Sequence, residues 1–94
     1  MTALRMPKVV TMAQARETLA QLEAELGAAT SATPEPVIVD ASALQSLDSA
    51  ALAVLLQCRR RALQLGQPFK VTGAAPKLRQ LAQLYGVDDL LELA

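Results

Sequence analysis

Asp48-Ser49 is the pair with the clearest chemical potential in this chain: a carboxylate next to a hydroxyl, placed where a helix begins. Either side chain is a preferred N-cap, accepting from the first free backbone N–H groups, and capping is the commoner role. A helix N-terminus also stabilises an added phosphate, so Ser49 doubles as a possible phosphorylation or recognition group. Two negative charges there would break an apolar contact rather than strengthen it. Other candidates fall to blander readings. Arg59-Arg60-Arg61 points three ways around a helix and makes no single basic surface. Cys58 shares a face with Leu55 and Ala62, so it reads as a small core residue. Asp88-Asp89 with Glu92 reads as a solvated acidic end, and no metal site is expected.

Enzyme chemistry finds little to work with, and no cofactor is expected. The chain has no histidine, which removes imidazole triads and imidazole metal sites. Neither G-x-x-x-x-G-K-[ST] nor G-x-G-x-x-G occurs, so the two phosphate-cradling fingerprints are missing. Nine basic and nine acidic residues balance, and aromatics amount to 2%, which argues against nucleic-acid binding. One cysteine suits a reducing compartment. No signal peptide is visible and no apolar run is long enough to span a bilayer, so a cytoplasmic location is expected.

The elements around Asp48-Ser49 read as follows. Met6 to Val10 is expected to be a short edge strand, since Pro7 interrupts it. Thr11 opens a helix through a capping box with Gln14. Met12, Ala15, Leu19, Leu22 and Leu26 form its apolar face, and Gly27 ends it. Residues 27–36 form a flexible loop. Val37-Ile38-Val39 suits a central parallel strand covered on both faces. The Asp48 helix runs to Leu65 and stops at Gly66, burying Ala51, Leu55, Cys58, Ala62 and Leu65. Phe69 to Thr72 alternates like a strand. Pro76 opens a third helix, which buries Leu78, Leu81, Ala82 and Tyr85 and ends at Gly86. Leu90 to Leu93 fits either a strand or a helical cap. The alternation gives one α/β domain over residues 1–94, a small, mostly parallel sheet of three or four strands packed with three helices.

A discontinuity lies on the outer face of the Asp48 helix. In its second half that face carries Gln57, Arg60, Arg61 and Gln64; toward the start it carries Ala50, Ala53 and Val54, with Ser49 at the rim. A helix that turns apolar on its water side is covered there by something else. Asp48, Ser49, Ala50, Ala53 and Val54 are therefore the expected partner-binding residues. A nearly aromatic-free core of this size also gains from a permanent partner.

These residues resemble a STAS domain (sulfate transporter and anti-sigma factor antagonist). The resemblance rests on Val37-Ile38-Val39-Asp40, then Asp48-Ser49-x-Ala51-Leu52, Leu55-Leu56, Gly66, the strand to Thr72 with Gly73, and the third helix. Within that family, Ala51 to Leu56 and Leu81 to Val87 are most similar to the small cytoplasmic subunit of bacterial phospholipid-transport ABC complexes. That resemblance implies a non-enzymatic subunit that binds the ATPase subunit, beside a permease and peripheral to the inner membrane, without inserting into it. A homodimer of the isolated chain is a further possibility. The alternative the family implies is a signalling switch phosphorylated on Ser49. Against the family pattern, only one short strand is expected before the first helix, and Ala50 and Ala51 stand where Ser and Gly are common.

Overall fold

The computed structural model describes residues 2–28 and 36–91. Its elements are β1 (Thr2–Arg5), β2 (Val9–Val10), α1 (Ala15–Ala28), β3 (Val37–Asp40), β4 (Ser46–Leu47), α2 (Ser49–Gln64), β5 (Phe69–Thr72), α3 (Pro76–Leu84) and α4 (Asp88–Leu91). β3 lies between β1 and β5 in a parallel sheet, and β2 pairs with β4 in a separate parallel ribbon. The fold is α/β with mostly short strands, as the alternation of elements implied.

Two strands precede the first helix, not one. Thr2–Arg5 pairs with Val37–Asp40, and the ladder continues as the Met6 N–H donates to the Asp40 carbonyl at 2.9 Å. Pro7 then has no N–H to give and ends the run. The chain resumes as β2, where the Lys8 carbonyl accepts from the N–H groups of Gln45 and Ser46. Met6 is therefore a fully buried hinge between two strands rather than the start of one.

The register puts Val37 with Phe69, and Leu4 with Val39 and Val71, all buried on one sheet face. On the other face Ala3, Arg5 and Lys70 are exposed and Ile38 is half-buried. The described helices thus cover one side only, correcting the expectation of a strand enclosed on both. α1 packs on β1, while α2 and α4 pack on β5. Leu90 and Leu91 belong to the last helix, which settles the C-terminal ambiguity as far as Leu91; Leu91 is buried against the core. Most of the loop expected after Gly27 lies outside the described residues, and α1 itself runs one residue past that glycine.

The turn that delivers the chain to α2 is fixed at Gly73 and Asp40. Gly73 has φ +70°, and a Cβ there would sit 2.9 Å from Ser42 Cβ and 3.1 Å from Asp40 Oδ1. Only glycine meets both demands without strain. The Asp40 carboxylate accepts from the Ser42 N–H at 2.9 Å. Hydrogen bonds from the Ser42 side chain and backbone hold the Asp40 carboxyl below its ordinary range. Their contribution is present above that ordinary range and is lost as pH falls through the lowered pKa.

Candidate docking site at the start of α2

Asp48 is the N-cap of α2, with extended backbone, and its Oδ1 accepts from the Ala50 N–H at 2.8 Å. Its Oδ2 accepts from the Met12 N–H at 3.2 Å. One carboxylate therefore starts α2 and ties down the turn before α1. Thr11 and Gln14 shape that turn differently from a full capping box. The Gln14 amide oxygen accepts both the Thr11 N–H and the Thr11 hydroxyl proton, so the hydroxyl donates instead of accepting. The half-buried Asp48 is a positioning group: it sets where Ser49 stands.

Replacing it tests that role. Asp48→Ala removes two acceptors and is expected to lower stability by about 1–2 kcal/mol. For a domain of this size that is a fall in melting temperature of roughly 5–15 °C. Asp48→Asn, which keeps an acceptor, is expected to recover most of the loss in the same thermal melt.

Ser49 is the first residue of α2 and is exposed; Ala53, one turn on, is exposed as well, and Ala50 is half-buried. Val54 is not part of this surface. It is 2% exposed, which overturns its placement on the outer face. Val54, Gln57 and Arg61 share one flank of α2, and Gln57 and Arg61 border a cleft whose opposite wall is Ala20, Glu23 and Ala24 of α1. The packing of α1 along that flank covers Val54.

On the other flank the surface is apolar and open. Ser49, Leu52, Ala53, Leu56, Tyr85 and Val87 line a shallow groove of about 270 Å³. Tyr85 is 58% exposed, so it faces the groove instead of completing the buried stripe of α3. α3 buries Leu78 and Ala82 and half-buries Leu81. Met12, expected in the core, is 80% exposed, although its N–H reaches the α2 cap. The start of α2 thus has an exposed apolar residue on the α1 side and an apolar groove on the α3 side. Further along, Leu63 is also exposed, and the half-buried Arg59 lays its stem beside Leu56 and Leu63. Composition hinted at Tyr85, since it is one of only two aromatics and precedes the glycine that ends α3.

The remaining candidates stay quiet. Cys58 is buried on the inner face of α2, and burial, helped by the charge of Glu23, pushes its thiol up to about 12. It stays protonated and unreactive at neutral pH. Among the described residues no His, Cys, Asp and Glu side chains cluster as metal ligands would. No helix among them is long and apolar enough to cross a membrane.

The sequence matches the family described as "Mlab, STAS domain" over residues 9–92. Among solved structures, the chain is similar to an anti-sigma-factor antagonist (STAS) domain protein from Planctomyces limnophilus, with a TM-score of 0.76. The two are 14% identical, and the match covers 94% of this chain and 76% of that one. At that identity the likeness speaks for a shared fold. No curated protein matches the chain.

Proposed function

The chain belongs to the MlaB-like STAS domain family, and from that premise we propose that it is a non-enzymatic accessory subunit of a bacterial phospholipid-transport (Mla-type) ABC transporter. In this reading it binds the ATPase subunit, in a complex with the permease, and reaches the cytoplasmic side of the inner membrane only through that partner. The observation that carries the reading is the open apolar groove beside Ser49. A strip of exposed Ala53 and Tyr85 with half-buried Leu56 is costly to leave in water and gains from being covered, at about 25 cal/mol per Å² of apolar area. A stable interface buries about 800 Å² on each partner, so the contact extends from the groove over neighbouring Met12 and Leu63.

Ser49 sits at the rim, where a negative charge is tolerated by the helix but not by an apolar contact. Ser49→Glu is accordingly expected to fold normally and to weaken ATPase capture by about tenfold or more. The check is co-purification of the cognate ATPase subunit with wild type and variant. Unchanged recovery with Ser49→Glu would contradict the reading.

One observation favours a second reading, a phosphorylation-driven switch of the anti-sigma factor antagonist type. The Ser49 hydroxyl is exposed at a helix N-terminus, where a kinase can reach it and the product phosphate is stabilised. Intact-mass measurement after incubation with candidate anti-sigma kinases separates the two. Stoichiometric phosphate on Ser49 together with loss of binding selects the switch.

A further inference from the structure

We infer that the partner segment lying along α2 is an amphipathic helix with an acidic end, its apolar side chains in the groove beside Ser49 and its carboxylates on Arg59 and Arg60. This deepens the reading of that groove as a docking surface and rests on it. The exposed track does not stop at Leu56, which also lines a second shallow groove with Gln57, Arg59, Arg60, Leu63 and Gln64. Leu52, Ala53, Leu56, Arg59, Arg60 and Leu63 recur at helical spacing and form one continuous stripe of α2. Along its length that stripe changes from methyl and isobutyl groups to a pair of guanidinium groups. The three consecutive arginines do point apart, yet Arg59 and Arg60 share the second groove while Arg61 turns to the cleft beside α1.

Charge complementarity selects the occupant. No acidic side chain lines either groove of this stripe. Arg60 also borders the α1 cleft, which Glu23 lines, but the two form no ion pair. Among the described residues neither Arg59 nor Arg60 has a carboxylate partner. Arg59 is half-buried with its stem beside Leu56 and Leu63, so its guanidinium is partly desolvated and held in place. A carboxylate set there gains charge-assisted hydrogen bonds at little cost in side-chain freedom. Spacing selects the form of the occupant. At 1.5 Å per residue, Ala53 and Arg60 lie about 10 Å apart along the axis, two turns of helix. A second helix packed along the stripe matches it, with its carboxylates about seven residues from the side chain that meets Ala53. Ala53, a methyl group, lets the two helices approach closely. An anionic bilayer fits less well, because nine basic and nine acidic side chains leave no net charge to draw the chain to it.

Titration of the cognate ATPase subunit with the full chain tests this. Arg60→Glu, at an exposed position, is expected to weaken binding by about tenfold or more, and Arg59→Glu with Arg60→Glu by about 100-fold, with unchanged circular dichroism. Wild-type affinity is expected to fall by about fivefold between roughly 50 and 500 mM sodium chloride, and the double variant to lose that fall. Hydrogen exchange of the ATPase subunit in the complex is expected to protect one helical segment that carries Asp or Glu beside an apolar stripe. Replacing those carboxylates by lysine is expected to restore binding to the double variant. Equal affinity of wild type and both variants overturns the inference, as does protection confined to a segment without carboxylates. Binding lost with Ala53→Arg but indifferent to the arginines sinks the acidic helix alone and leaves the docking groove standing. Binding lost with the arginines but indifferent to Ala53→Arg sinks the docking groove and the inference with it, as does a wild type that does not bind. Wild type that sediments with phosphatidylglycerol vesicles through Arg59 and Arg60, while ATPase binding ignores them, overturns the inference in favour of a bilayer.

Discussion

Val54→Arg is expected to cost the domain most of its stability, whereas Ala53→Arg, one position earlier, leaves it as stable as wild type. Val54 is buried on the flank of α2 that α1 covers, among methyl and methylene groups. An arginine there must either bury an unpaired guanidinium or push α1 off the core. Either costs upwards of about 4 kcal/mol. A chain of 94 residues with an aliphatic core commands only about 5–10 kcal/mol in total, so most of its stability is lost. Ala53 projects into solvent, and arginine is a good helix former, so its replacement stays within about 0.5 kcal/mol. Thermal melts followed by circular dichroism check both. A Val54→Arg that melts at the wild-type temperature, or an unfolded Ala53→Arg, would mean that the packing of α2 is wrong.

This pair also marks where the sequence was readable and where it was not. The start of α2 was legible because Asp48 is a strong cap beside an apolar run. Its inner stripe was legible because Ala51, Leu55, Cys58 and Ala62 recur at helical spacing, and all four are buried. A helical wheel assumes one covered side, however. α2 is covered from the sheet and again by α1 along one flank, which widens its buried arc unevenly and takes in Val54 but not Ala53. Nothing in local periodicity reveals which flank a distant helix will choose. Tyr85 and Met12 were misplaced for a related reason: each continues an apolar spacing past the point where its helix touches the core.

The strands divide in the same way. Val37-Ile38-Val39 is β-branched throughout and announces itself, and its central place in the sheet was anticipated. Its second face was expected to be covered because parallel strands usually are. Here the facing positions on its neighbours are Ala3 and Lys70, which need no cover. β2 and β4, two residues each, are too short to carry a period, and β1 has a single buried apolar residue, Leu4, between exposed Ala3 and Arg5; all three exist because partners elsewhere in the chain supply their hydrogen bonds. The groove beside Ser49 was not legible, because helical spacing puts Tyr85 in a buried α3 stripe that ends at Gly86. Only the fold brings Ser49 to Leu56 and Tyr85 to Val87, distant in sequence, to line one groove.

Ala53 also carries the largest expected effect on binding. It lies on the exposed face in the middle of the groove, where a methyl group permits close approach and a guanidinium on a long stem does not. Substitutions at the centre of an interface are the ones that dominate affinity, and a like-sized loss here is about 3 kcal/mol. Calorimetric titration of the cognate Mla-type ATPase subunit with folded Ala53→Arg is the most direct measurement. Affinity is expected to fall by about 100-fold or more relative to wild type. Titration curves that superimpose, with the same affinity and the same stoichiometry, would contradict it.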